Sequence, residues 1–231
     1  MLKRTFDILA SLIGLILAGP FLLILAVWIK LDSDGPVFYR GVRVGRHGVP
    51  FRIFKFRSMV ENAATIGPTS TADEDPRITR PGRLIRKCKL DELSQLLNVL
   101  IGDMSLVGPR PEVQKFVDKY TEQEKPILDA RPGITDWASI WNADEGAVLA
   151  GSDDPDEAYE RLLRPTKLKL QLEYVRDHSV LTDIQIILYT ILKVIRRDWV
   201  PKRLRKYPYP LPAGGAEGEA APDKPDASAS A

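Results

Sequence analysis

The stretch ILASLIGLILAGPFLLILAVWI, Ile8 to Ile29, decides what kind of fold this chain can adopt. It carries no charge, and Ser11 is its one hydroxyl. As a straight helix these roughly 22 residues reach about 33 Å, enough to cross a hydrocarbon core of about 30 Å. A single transmembrane helix is the simplest reading. A cleaved signal peptide is disfavoured, because no small-residue cleavage site leads into a polar mature start. Two features argue against a plain span. Gly19-Pro20 interrupts the run, and an interior proline removes a helix hydrogen bond and clashes with the preceding turn, costing about 3 kcal/mol. Basic residues also flank both ends: Lys3 and Arg4 before, then Lys30, Arg40, Arg43 and Arg46 after. The positive-inside tendency holds both flanks on the cytoplasmic side. Arms of roughly 12 and 9 residues reach about 18 and 14 Å, each about half of the core. These features favour a re-entrant, monotopic helix kinked at Pro20 that enters and leaves by one face. A straight span stays open, since membrane helices tolerate proline.

Outward from this segment, the 231 residues suffice for one sizeable domain with appendages. The lone Cys88 excludes an internal disulfide and a cysteine-rich zinc site. The net charge of +2 hides an asymmetry: residues 1–90 hold 15 Lys and Arg against 7 Asp and Glu, and the remainder 18 against 24. A basic N-terminal portion points to anionic partners such as lipid headgroups, phosphates or nucleic acid.

Gly35 to Met59 reads as a β-hairpin. Aromatic and β-branched residues line Val37–Val44 and Phe51–Phe56, and Gly45 and Gly48 supply the turn. Met59 to Leu90 reads as a short helix, a loop and a return into helix at Gly82. From Leu90, the apolar positions Leu90, Leu93, Leu96, Leu97, Leu100 and Ile101 follow a 3.6-residue period, predicting a helix with a buried leucine face. GDMSLVGPRPE, Gly102 to Glu112, is a rigid loop around Arg110, followed by a polar amphipathic helix to about Lys125. Ala130 to Gly146 is irregular or partly β. Asp154 to His178 is helix, restarted at Pro165. Thr182-Asp183 can cap a last helix from Ile184 to about Arg197, either buried or lying in a membrane interface with Trp199 at its end. The tail from Pro208, dominated by Pro, Gly, Ala, Ser and acids, is expected to be disordered. The fold class is α+β: a membrane helix over residues 1–33, a catalytic domain with interfacial helices over 34–207, and a tail over 208–231.

RKCKLDELSQLLNVL, Arg86 to Leu100, carries the candidate chemistry. Adjacent residues on a helix point about 100° apart, so Asp91 and Glu92 are poorly placed to share a proton. They can hold different jobs beside one ligand: one carboxylate attacking, the other holding Mg²⁺, which takes one or two carboxylates plus substrate phosphate. An anionic nucleophile attacking a phosphate needs positive charge around it. Lys55, Arg57, Arg86, Arg110 and Arg131 are candidates, all in or beside loops. Taken alone, an Asp-Glu pair at a helix start reads as a macrodipole interaction worth about 0.3–1 kcal/mol. Neither a GxxxxGK[ST] loop nor a DxDxT-type motif occurs.

The stretches LDSDGPVFYRGVRVGRHGVPFRIFKFRSM, DPRITRPGRLIRKCKLDELSQLLNVLIGDMSLVGPRPE and RPGIT, in that order, resemble the bacterial sugar transferases, the small monotopic phosphoglycosyl transferases. The resemblance covers most of residues 1–200. It implies an Mg²⁺-dependent enzyme on the cytoplasmic face of a bacterial membrane. Such an enzyme transfers a sugar 1-phosphate from a nucleotide diphosphate sugar, usually a UDP-sugar, to polyprenol phosphate and releases UMP. It thereby starts glycoconjugate or polysaccharide synthesis. By motif, Asp91 is implied as the nucleophile that forms an aspartyl phosphosugar, Glu92 as the Mg²⁺ ligand, and Lys55, Arg86 and Arg110 as phosphate contacts. Arg57 is a weaker candidate from the same KFRSM block. The resemblance also supports the re-entrant reading.

Two departures stand out. The family's membrane break is commonly Ser-Pro, and here it is Gly19-Pro20. After RPGIT, this chain reads DWASIWNADEGAVLAGSDDPDEAY instead of a Gly-Trp and Asn-Gly pattern, which leaves the donor sugar open. The alternatives are a membrane-anchored basic module binding lipid or nucleic acid, motivated by Arg40–Arg57, and a lipid-phosphate phosphatase. The lack of a nucleic-acid motif disfavours a nucleic-acid partner. The oligomeric state stays open, a homodimer included.

Overall fold

The structure, a computed structural model, describes residues 2–196 and 199–208. Helix α1, Leu2–Asp32, begins before the apolar run and continues through Gly19 and Pro20 without a break. Asp7, Ser11, Leu25 and Ile29 form its buried stripe, while Leu12, Ile16, Leu23 and Val27 on other faces stay exposed. Both ends touch the same domain. At the N-terminal end, Lys3 Nζ lies 2.5 Å from Asp183 Oδ2 and 3.0 Å from the Val107 carbonyl, and Arg4 donates to the carbonyls of Val99 and Leu100. Asp7 accepts from Ser105 Oγ at 2.8 Å and from the Leu106 amide at 3.2 Å. At the C-terminal end, Leu25 and Ile29 pack with Phe56 and Ile85. Each such aliphatic side chain contributes roughly 1.5–3 kcal/mol when fully buried.

The expected hairpin forms as two short antiparallel ladders. Strand β1 (Phe38–Tyr39) pairs with β4 (Lys55–Phe56), and β2 (Val42–Val44) with β3 (Pro50–Arg52). Gly48, at φ +77°, occupies the left-handed region in the connecting turn, where a Cβ would be strained.

Helix α2, Arg80–Lys87, starts two residues before Gly82, capped by Thr79, whose hydroxyl accepts the Gly82 amide at 3.1 Å. Lys89 then adopts a left-handed conformation (φ 55°) and breaks the chain direction. Leu90–Gln95 is a 3₁₀ segment, and only Leu96–Ile101 is the α-helix α3. The leucine stripe is only in part the buried face that its period suggests: Leu96 is buried and Leu90 packs against the Leu25–Phe56 cluster. Ile101 is 66% exposed and Leu93, Leu97 and Leu100 are half-buried, whereas Asp91, Ser94, Gln95 and Asn98 are buried. The polar side looks inward because it meets backbone groups of the hairpin: Asn98 accepts from the Phe54 amide at 2.7 Å and donates to the Arg52 carbonyl at 2.9 Å, and Ser94 donates to the Phe54 carbonyl at 3.1 Å. Unpaired, those groups would cost a hydrogen bond each.

The Gly102–Glu112 loop contains a strand, β5 (Ser105–Val107), parallel to β6 (Gly133–Thr135). A Cβ on Gly133 would lie 2.0 Å from the Gly108 amide nitrogen, so the two backbones meet where only glycine fits. The expected long polar helix is only one turn, α4 (Gln114–Val117), followed by a 3₁₀ turn at Lys125–Asp129. Short helices α5 (Trp137–Trp141), α6 (Glu145–Leu149) and α7 (Pro155–Ala158) lead through a π-helical turn, Tyr159–Leu163, into α8 (Arg164–Asp177), restarting beside Pro165. The main core gathers Trp137, Leu149, Leu163, Leu170, Tyr174 and Ile186.

The last helix, α9 (Val180–Ile195), is capped by Ser179 and not by Thr182-Asp183; Asp183 is instead buried against Lys3 and Tyr174. Its Ile186 is buried, yet Leu181, Ile184, Leu188, Ile191 and Ile195 lie exposed. The helix thus packs by one face and presents an apolar row outward. The tail expected from Pro208 lies, from residue 209 on, outside the described residues.

Candidate active site

Strand β4 packs on the 3₁₀ segment that follows Lys89 and delivers Lys55 to the acidic pair. Lys55 Nζ lies 2.8 Å from Asp91 Oδ2 and 3.8 Å from Glu92 Oε1. Arg110 approaches from the loop after β5 and forks onto Glu92: Nη1 donates to Oε2 at 2.9 Å and Nη2 donates to Oε1. With about three residues per turn, successive side chains of a 3₁₀ segment diverge. The two carboxylates therefore meet different cations, with Lys55 between them. Two negative and two positive charges balance within the site.

Asp91 is 3% exposed, and its Oδ1 is buried with no hydrogen-bond partner among the described residues. A buried carboxylate oxygen left unpaired is costly and calls for an explanation. Burial opposes ionisation of Glu92, but the Arg110 charge and its hydrogen bonds, with Lys55 and Lys89, hold the carboxyl well below the usual carboxylate range. Reciprocally, the Glu92 charge raises Arg110 against its own desolvation. The pair is therefore ionised at neutral pH.

The remaining expected cations go elsewhere. Arg57 is buried and donates to the carbonyls of Ser33 at 2.8 Å, Ile29 at 3.4 Å and Asp34. It tethers the C-terminal end of α1, which accounts for it without a phosphate. Arg86 is half-buried at the end of α2; burial and the Asp144 charge raise Asp73, and the Arg86 charge opposes them, while Asp75 is lowered chiefly by its hydrogen bond from Arg77. Arg131 lies among Arg4 and Arg46, and burial together with their charges pulls its guanidinium below the ordinary value. Gly19 and Pro20 sit on α1, and outside the helix's own neighbouring turns nothing lies within 4 Å of a Cβ built on Gly19.

Sequence reasoning missed the supports of Arg110. Its amide donates to Asp136 Oδ2 at 3.3 Å, and Glu112, two residues on, forms a buried ion pair with Lys167. Asp136 accepts the Ser139 amide at 2.7 Å as the cap of α5, and an Asp three residues before a Ser inside DWAS was the available signal.

Among the described residues, no group of three or more His, Cys, Asp or Glu side chains could hold a metal ion. The donor set nevertheless suits Mg²⁺, a hard cation that takes one or two carboxylates and completes its shell with water and substrate phosphate. Asp91 Oδ1 is a carboxylate oxygen free to serve.

The family model described as bacterial sugar transferase matches residues 1–197. An Aeromonas hydrophila protein named UDP-N-acetylgalactosamine-undecaprenyl-phosphate N-acetylgalactosaminephosphotransferase is 40% identical over 200 residues, covering 84% of this chain and 44% of its own length. The undecaprenyl-phosphate galactose phosphotransferase of Salmonella typhimurium is 41% identical over 213 residues, covering 85% and 41%. This chain thus spans under half the length of those two relatives. An exopolysaccharide production protein of Rhizobium leguminosarum is 36% identical over 208 residues, covering 85% of this chain and 96% of its own. The sequence motifs, the converging Lys55–Asp91–Glu92–Arg110 cluster and a match across nearly all the described residues agree: the chain belongs to the bacterial sugar transferase family.

Proposed function

We propose that this chain transfers a sugar 1-phosphate from a nucleotide diphosphate sugar, a UDP-sugar, to polyprenol phosphate. The observation that carries this reading is Asp91: buried, tied to Lys55 by one oxygen, unpaired at the other, and beside a Glu92 neutralised by Arg110. In the first step Asp91 attacks the sugar-linked phosphorus. The bond from that phosphorus to the bridging oxygen breaks, UMP leaves, and an aspartyl phosphosugar remains. In the second step a phosphate oxygen of the polyprenol phosphate attacks the same phosphorus and frees the Asp91 carboxylate. Lys55 and Arg110 offset the charge that builds on the phosphoryl oxygens, the main catalytic contribution in phosphoryl transfer. Glu92 and Asp91 would hold Mg²⁺, whose contribution when bound is to neutralise the diphosphate. The relatives' names favour undecaprenyl phosphate as acceptor and leave the sugar open, since two of them differ in it.

The membrane reading belongs with this activity. A spanning helix 31 residues long would carry one end far from a domain on the other side. Here Lys3 and Ile29 are both held by the domain, and the exposed apolar faces of α1 and α9 offer surface to a bilayer. Together they favour a re-entrant α1 bending at Pro20 in the bilayer, with the site on the cytoplasmic face.

The test is UMP release from a panel of UDP-sugars with polyprenol phosphate in nanodiscs, with and without Mg²⁺. Metal-dependent release with one or more sugars is expected; silence across the panel beside an active control enzyme would overturn the UDP-sugar donor. Release of inorganic phosphate instead would mark a phosphatase.

A further inference from the structure

Helix α8 turns three polar side chains inward at Lys167, Gln171 and Tyr174, spaced i, i+4 and i+7 on one face. They are 8%, 0% and 2% exposed. Leu168 and Leu170 on the same helix pack as ordinary core. The polar row therefore has a reason beyond filling space, because buried polar groups are kept where they meet partners. Each member meets a different residue of the segment that carries Arg110. The Tyr174 hydroxyl lies 3.0 Å from the Val107 carbonyl, Gln171 Nε2 lies 3.5 Å from the Arg110 carbonyl, and Lys167 pairs with Glu112. Gln171 Nε2 also donates to Asp136 Oδ2 at 3.2 Å, the same oxygen that accepts the Arg110 amide. Tyr159 closes the far end: its hydroxyl donates to Glu112 Oε1 at 2.5 Å and accepts from Lys167 Nζ at 2.7 Å. Arg110 is thus gripped at both its amide and its carbonyl, while its side chain forks onto Glu92.

We propose that this inward polar row of α8 is the template that positions Arg110 for the reaction, with Gln171 as its central positioning residue. The role rests on the transferase reading above. The row supplies donors to the Val107 and Arg110 carbonyls, while Gly108 and Pro109 pair with β6 and the Glu112 carbonyl accepts from Val44. A phosphoryl transition state demands charge at a fixed place, and misplacing a catalytic group by about 1 Å can cost on the order of 10²-fold in rate. None of the three residues touches the acidic pair.

The test compares Gln171→Leu with wild type and with the exposed control Arg176→Gln in nanodiscs. Deuterium exchange is followed over residues 108–112, and kcat and KM for the donor are measured separately. Gln171→Leu should speed exchange at 108–112 and lower kcat between about 10- and 100-fold, with KM changed far less. Unchanged exchange and kcat with only a lower melting temperature would make the row mere packing and overturn the proposal. If Gln171→Leu does not fold, Tyr174→Phe decides by the same two readouts: a smaller loss in the same direction supports the template, and no loss overturns it. The exchange readout needs no substrate. A wild-type protein that releases no UMP therefore counts against the transferase reading, and the exchange result still judges the template.

Discussion

Lys55 Nζ sits 2.8 Å from Asp91 Oδ2 and 3.8 Å from Glu92 Oε1, so one ammonium spans two adjacent carboxylates that diverge on a 3₁₀ turn. The arrangement leaves Asp91 Oδ1 buried and without a hydrogen-bond partner among the described residues.

If Asp91 is the nucleophile, Asp91→Asn should abolish covalent sugar-phosphate labelling and turnover together. Lys55→Met keeps the carboxylate but removes the charge between the pair, and should lower kcat on the order of 10²-fold. Labelling assays with radioactive donor separate the two. Near-full activity in Asp91→Asn would remove the assignment.

Arg110 grips both oxygens of Glu92, a planar fork that lysine cannot reproduce. Arg110→Lys should therefore lose most of the activity despite keeping the charge, and Glu92→Gln should flatten the Mg²⁺ dependence of the rate. Titrating Mg²⁺ against kcat in each variant is the check; an unchanged metal response in Glu92→Gln excludes it as a ligand.

Acid should weaken the fold through Glu92. Its carboxyl is held below the ordinary value near 4.5, so the stabilisation is present above that pH and is lost as pH falls toward the depressed folded value. The melting-temperature difference between wild type and Glu92→Gln should shrink as pH drops below about 5. Parallel curves would show that Glu92 contributes nothing to acid lability.

Lys3 and Asp183 are 180 positions apart in sequence, and Asp183 is 1% exposed. Lys3→Met removes the cation from a buried carboxylate and should destabilise by about 1–3 kcal/mol. For a chain of this size each kcal/mol lowers the melting temperature by about 2–4 °C. A melting curve in detergent identical to wild type would show the pair to be idle.

The native Cys88 is exposed and provides an internal marker of sidedness. In membrane vesicles, Cys88 and a cysteine placed by Leu2→Cys should react with an impermeant maleimide from the same side if α1 is re-entrant. Labelling from opposite sides would establish a span.

Much of this protein was legible in its residues because the signals are local. An uncharged run of about 22 residues, β-branched pairs around Gly45 and Gly48, and the ordered motifs around Asp91 each act through neighbouring positions. The hairpin and the restart at Pro165 followed from them, while the resemblance to the sugar transferases singled out Lys55, Glu92 and Arg110, which the structure brings together. Tertiary structure decided what periodicity cannot carry. The leucine stripe from Leu90 suggested an apolar buried face, but Leu96 shares the buried side with Val99, Ser94, Gln95 and Asn98, because the hairpin brings backbone groups that Ser94 and Asn98 satisfy. Arg57 belongs to the end of α1 because burial placed three carbonyls around it. Asp183, expected as a helix cap, is a buried partner of Lys3, and the polar row of α8 lies on Arg110's segment and not in solvent. Sequence determines which side chains are available and how the local chain bends. Which of them lose their water, and to whom they must then bond, is settled only when distant segments pack.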